Sequence, residues 1–266
     1  MEEQETKLSK VGKPVLLFIA LAVILIVMVF ALVKYAMAPV NKLAEWKQNK
    51  ETLADDKKVA VYNESNLDSL QRLIAYREAL LSLSKKDSIH LIINVPDSIL
   101  GLFINGVVIY NVKLTSMKLD PMLRKLPQGM YIQTFSKPMS VTLSEASIIK
   151  EPIIEKIAPK NPEELLTSVT TPDTLMHQPV FIKLITDNGI HFLITQDEDL
   201  TSVDKKANRS FWSGRRMERT KSFLTAMVNF QPYEYQPSVI LEANDKALTA
   251  IYRALPEQAK VVMYYE

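Results

Sequence analysis

Residues 89–114, IHLIINVPDSILGLFINGVVIYNVKL, carry the reading that decides the fold. Ile89, Leu91, Ile93 and Val95 alternate with Ser88, His90, Ile92 and Asn94, the period of two expected of a strand. Pro96-Asp97 reads as a turn, and a second apolar run follows at 99–104. Asn105-Gly106 then predicts a tight hairpin, because a type I′ turn needs positive φ at both central residues. Residues 107–114 are the expected return strand. A second hairpin is predicted by the same logic: 180–186, Asn188-Gly189, then 190–195.

Towards the C-terminus, Asn244 or Asp245 is placed to cap a helix whose inward face is Leu248, Ile251, Tyr252 and Leu255. Pro256 ends it, and 261–265 reads as a final strand. Residues 144–178 and 197–236 carry Pro, Asp, Asn and Ser clusters and read as two long insertions. Residues 87–266 are therefore expected to form one mainly β domain with short helices.

Upstream the character changes. Residues 15–33, VLLFIALAVILIVMVFALV, contain no charge and span about 28 Å as a helix, close to the hydrocarbon thickness of a bilayer. Lys13 and Lys34 bracket the run, and Tyr35 stands where an interfacial aromatic would. Ala36-Met37-Ala38 has the pattern of a signal cleavage site, but the apolar run is long for a signal core and Pro39 would follow the cut. Without cysteine a lipoprotein anchor is excluded. The expected organisation is a cytoplasmic tail at 1–13, one transmembrane helix at 14–36 and a helical stalk at 37–86. Sidedness follows from the short tail, which places the rest outside the cytoplasm. Within the stalk, Leu67, Leu70, Ile74 and Leu81 fall near heptad positions with Leu73 and Leu80 beside them. They predict an amphipathic helix lying on the domain, or a seam joining two copies.

The 266 residues carry a net charge of +2, which argues against a dedicated nucleic-acid binder. Lys205, Lys206, Arg209, Arg215, Arg216, Arg219 and Lys221 nevertheless form a basic segment with Phe211 and Trp212 inside it. Arg209, Trp212, Arg215, Arg216 and Arg219 are the binding candidates, for lipid headgroups or for carboxylates. His90, His177 and His191 are dispersed and no grouping has metal-ligand spacing, so no metal and no cofactor are expected.

Four segments, in order, resemble the L,D-transpeptidase (YkuD-like) catalytic domain, a β-sandwich that cross-links peptidoglycan. They are 89–114; Leu126-Pro127-Gln128-Gly129-Met130-Tyr131-Ile132, similar to that family's turn; Gly189-Ile190-His191, similar to the strand bearing its histidine; and 239–262, similar to the strand, helix and closing strand after its cysteine. The resemblance implies a sandwich at 87–266, a bacterial inner-membrane location with a periplasmic domain, and peptidoglycan or an envelope protein as partner. The stretch matching the nucleophile reads Tyr235-Gln236-Pro237-Ser238, so Ser238 replaces the thiol, Gln236 the histidine and Pro237 the glycine. A serine needs an aligned base, for which His191 is the candidate, and Pro237 has no N–H for an oxyanion. The expectation is a degenerate, catalytically inactive domain with a structural or binding role. Two alternatives stay open: a serine acyl transferase or hydrolase using Ser238 and His191, and a subunit of an inner-membrane complex.

Overall fold

The computed structural model describes residues 13–51, 65–150, 177–199, 201–229 and 231–266. Most of the insertion expected at 144–178, and the stalk between 52 and 64, lie outside them. The described residues hold six helices and nine strands, and helices hold more residues than strands. The mainly β expectation is therefore corrected to a mixed architecture.

Two compact units are present: residues 1–49 with 215–235, and residues 50–214 with 236–266. The first is built on α1 (Lys13–Glu51), which continues past the expected end of the anchor and carries Pro39 inside it. Residues 17–30 of α1 are exposed throughout, whereas Ala38, Lys42 and Trp46, spaced at four, are buried.

In the larger unit, α2 (Ser65–Leu83) lies on the sheet. Tyr76, Ala79 and Leu83 are buried against Ile92, Phe103, Val262 and Tyr264, with Leu73 and Leu80 packed beside them. Leu70, Ile74 and Leu81, on the expected seam, face outward instead. The buried stripe uses an aromatic and an alanine that a leucine count passes over.

The first hairpin forms as read. β1 (His90–Asn94), β2 (Ile99–Ile104) and β3 (Val107–Lys113) are antiparallel neighbours, and Asn105 and Gly106 take φ of 48° and 87°. β4 (Ser116–Leu119) leads into α3 (Pro121–Arg124) and α4 (Gln128–Phe135). The family-like turn at 126–132 is thus largely helix, its side chains Met130 and Tyr131 buried. β5 (Met139–Ala146) runs into the predicted insertion, and β6 (Phe181–Thr186) pairs antiparallel with β7 (His191–Gln196). Here only Gly189 of the Asn-Gly pair has positive φ, 77°, because Thr186 Oγ1 bonds the Asn188 side chain at 2.7 Å and shapes a wider turn.

The largest correction concerns 197–236. It is no loop insertion: α5 (Ser202–Val228) fills most of it, joining β7 to β8 (Ser238–Ala243), its parallel neighbour. Parallel neighbours require a long crossover, and a helix is the usual one. Thr201 and Asp204 start α5 as a reciprocal capping pair, the Thr201 N–H donating to Asp204 Oδ2 at 2.8 Å and the Asp204 N–H to Thr201 Oγ1 at 3.2 Å. α6 (Asp245–Ala254) is capped by Asn244 as expected, and β9 (Lys260–Tyr264) closes the chain in the middle of the sheet, parallel to β1.

Hydrogen bonding links the strands in one order, β3-β2-β1-β9-β5-β6-β7-β8-β4. β5 changes partner along its length, using Met139 and Ser140 for β9 and later residues for β6. The strands are thus joined through β5, which pairs with β9 at its start and with β6 beyond a register irregularity between Val141 and Leu143.

Candidate functional site

The parallel β7–β8 pair begins by placing His191 opposite Ser238. Residues directly opposite one another project to the same face, so topology brings together the two side chains that the sequence separates by a helix. The His191 N–H donates to Pro237 O at 2.9 Å, and Gln236 and Pro237 lie just before the strand. On the other side of β8, Leu119 faces Val239, and the Asp120 N–H donates to Ser238 O at 3.0 Å. Asp120, Ser238 and His191 therefore stand side by side at one end of three adjacent strands. Asp120 and His191 are buried, and Ser238 is half-buried.

Asp120 was not found from sequence, although Asp-Pro before an apolar helix start is a cap signal that marks it. Its carboxylate accepts from the Met122 N–H at 2.9 Å and so caps α3. The backbone around Ser238 is committed in the same way. The N–H groups of His191, Asp120 and Met122 all have acceptors in the fold, and Pro237 has none to offer. Acyl transfer needs donors aimed at the developing oxyanion as well as a nucleophile and a base. The strand ends supply a hydroxyl and an imidazole; the N–H groups of His191, Asp120 and Met122 beside them are engaged elsewhere.

The five basic and aromatic candidates lie along α5 and fall in different units. Arg209 is exposed in the larger one, where the half-buried Trp212 meets Phe211 edge-on at 5.4 Å; Phe211 in turn stacks on Phe181 at 5.2 Å. Phe211 thereby fastens the helix to β6. Arg215, Arg216 and Arg219 belong to the smaller unit; Arg215 is buried, Arg219 half-buried and Arg216 exposed.

The histidines are less scattered than their spacing implied. His177 Nε2 is 2.9 Å from both oxygens of Asp204, and its Nδ1 is 3.2 Å from Asp245 Oδ2. The hydrogen bond to Asp204, with the charges of both carboxylates, raises the His177 pKa above its ordinary value. Burial works to raise the Asp204 pKa, but hydrogen bonds from His177 and Thr201 outweigh it and the carboxyl is held low. His177 therefore joins the first turns of α5 and α6. His90 behaves oppositely: burial, then the charges of Lys260 and Lys86, lower its pKa, and its Nδ1 accepts from the Lys260 N–H at 3.3 Å. Among the described residues no group of three or more His, Asp or Glu side chains is arranged to hold a metal ion.

No protein-family model matches the chain, and no curated protein or solved structure matches it significantly.

Proposed function

We propose that the chain is a membrane-tethered, non-catalytic binding protein of the bacterial cell envelope. Its L,D-transpeptidase-like domain holds peptidoglycan, or an envelope protein, close to the inner membrane. One observation carries the tether: α1 contains a span, Leu17–Gln48, whose most apolar 18-residue window has mean hydropathy 3.0 and is not buried in the fold. Such a surface is stable in hydrocarbon and unfavourable in water. The non-catalytic half of the reading is supported by the engaged backbone donors around Ser238 and by Pro237.

The experiment is co-sedimentation of the full chain, in mild detergent, with intact peptidoglycan sacculi. Retention that falls on charge reversal of Arg209 and Arg216 supports the reading and gives the basic helix a role. No retention transfers the proposal to the remaining alternative, a subunit of an inner-membrane complex, which copurification from membranes tests.

The register of His191 with Ser238 favours a second reading, a serine acyl transferase or hydrolase acting on wall peptides. A fluorophosphonate adduct present in the native chain and absent from Ser238→Ala would establish it and remove the non-catalytic reading.

A further inference from the structure

Within the smaller unit, three rings meet where the uncharged run of α1 ends. Tyr35 is edge-on to Phe223 at 5.6 Å and stacked on Tyr233 at 5.8 Å, and Phe223 meets Tyr233 at 5.6 Å. They tie the end of α5, and the segment that follows it, to α1 one residue beyond Lys34. The buried residues of α1, Ala38, Lys42 and Trp46, all lie on the side of Tyr35 away from the apolar run. The returning chain goes the same way: Glu234 pairs with Lys42 at 3.4 Å, about 10 Å farther along the helix than Tyr35. The ring contacts thus bring the end of α5 to the level of Tyr35.

The end of α5 carries exposed apolar side chains. Val228 is 75% exposed and Leu224 50%, and both share a helix face with Lys221 and Met217, which are also exposed. The five residues after Phe223 extend the helix by about 7 Å. The polar layer on each side of a bilayer is about 5–7 Å thick, so this length reaches from the water edge to the acyl chains. Lys221 lies about two turns before Val228, where its long side chain reaches back to the headgroups, and Arg216 lies just over three turns before it, beyond that reach.

We propose that the last turns of α5 form a second membrane contact. Leu224 and Val228 dip through the headgroup layer, while Lys221 engages anionic phospholipid headgroups. The inference rests on α1 spanning the bilayer. It gives the tether a fixed azimuth: one helix through the membrane and one helix end resting on it hold the unit in a single orientation, which a lone anchor does not.

The native chain has no cysteine, so single cysteines report cleanly. The full chain carrying Val228→Cys, Ser210→Cys or Val23→Cys is spin-labelled and reconstituted into phosphatidylcholine vesicles with about 30% phosphatidylglycerol, or none. Accessibility to oxygen and to a water-soluble nickel chelate is then measured. The expected result is a lipid-exposed label at 23, a water-exposed label at 210, and an interfacial label at 228. Chelate accessibility at 228 should fall when phosphatidylglycerol is present, by roughly fivefold for each engaged cation. The variant K221Q should lose that lipid dependence while position 23 stays unchanged. A label at 228 as water-exposed as that at 210, with 23 still in lipid, overturns this inference and leaves the tether standing. A water-exposed label at 23 overturns both.

Discussion

Replacing His177 by glutamine should change how stability depends on pH, in a direction set by geometry. In the folded chain the imidazolium sits between Asp204 and Asp245, and its pKa is raised above about 6.5, the value expected when unfolded. Folding then binds a proton, so the contribution is fully present below about pH 6.5 and is lost as pH rises through the folded value. Asp204, whose pKa is lowered, contributes above the ordinary carboxylate value and loses that contribution as pH falls through its folded value. The clamp should therefore be strongest between about pH 4.5 and 6.5.

Its magnitude follows from exposure. The His177 side chain is 32% exposed, which screens the pair, but its partner Asp204 is fully buried, which does not. Discounting a charged hydrogen bond of about 1.5–3 kcal/mol for that screening leaves about 1–2 kcal/mol. Urea unfolding of the full chain in detergent reads this as a midpoint about 0.5–1 M lower for H177Q near pH 5.5, with the gap shrinking towards pH 9. The difference between native and variant is the right quantity, because His90, with its lowered pKa, makes the native chain lose stability as pH falls. A midpoint gap that stays constant from pH 5.5 to 9, or widens, would refute the reasoning.

Three further outcomes can be measured by the same unfolding assay. The Tyr265 N–H donates to Tyr131 Oη at 3.2 Å, whereas Tyr265 Oη donates to Leu123 O at 2.8 Å, an oxygen that also accepts from the Lys125 and Leu126 N–H groups. Y131F orphans a buried donor and should cost about 1–3 kcal/mol; Y265F leaves its acceptor satisfied and should cost about 0.5–1.5 kcal/mol. Gly101→Ala places a Cβ 2.9 Å from Tyr110 O and 3.2 Å from Ile92 Cγ1, and pushing the β2–β3 pair apart should cost about 1–3 kcal/mol, with broadened amide signals along β3 by NMR. On α2, Leu83→Ala should cost about 2–5 kcal/mol because Leu83 is fully buried, while Leu81→Ala, 69% exposed, should stay within about 0.5 kcal/mol.

The elements legible in the sequence were those whose signals are local. Asn105-Gly106 announced its own turn, Asn244 its own cap, and the alternation at 90–94 its own strand. The readings that failed needed knowledge of a distant partner. Residues 197–236 read as loop because Ser, Asp, Gly and Pro break the apolar period, yet the parallel pairing of β7 and β8 demands a crossover and the Thr201–Asp204 cap starts one. The heptad count on α2 chose Leu70, Ile74 and Leu81, and the sheet chose Tyr76, Ala79 and Leu83 because Phe103 and Val262 offered them a surface. At the candidate site, Ser238 and His191 could be named from type alone. That Asp120 joins them, and that the neighbouring N–H groups are already engaged, depends on strand register, to which residue type is blind.

By itself the sequence determined that an unbroken apolar segment must be kept from water, that two hairpins lie within the domain, and that no thiol chemistry is available. Composition and short-range periodicity suffice for these, since each is a property of neighbouring residues. Tertiary structure alone decided that β9, last in the chain, lies between β1 and β5, and that His177 finds Asp204 and Asp245. It also decided that the end of α5 meets Tyr35. Each joins residues far apart along the chain, and such pairings are selected by the burial and hydrogen bonding of the whole fold, which no local window contains.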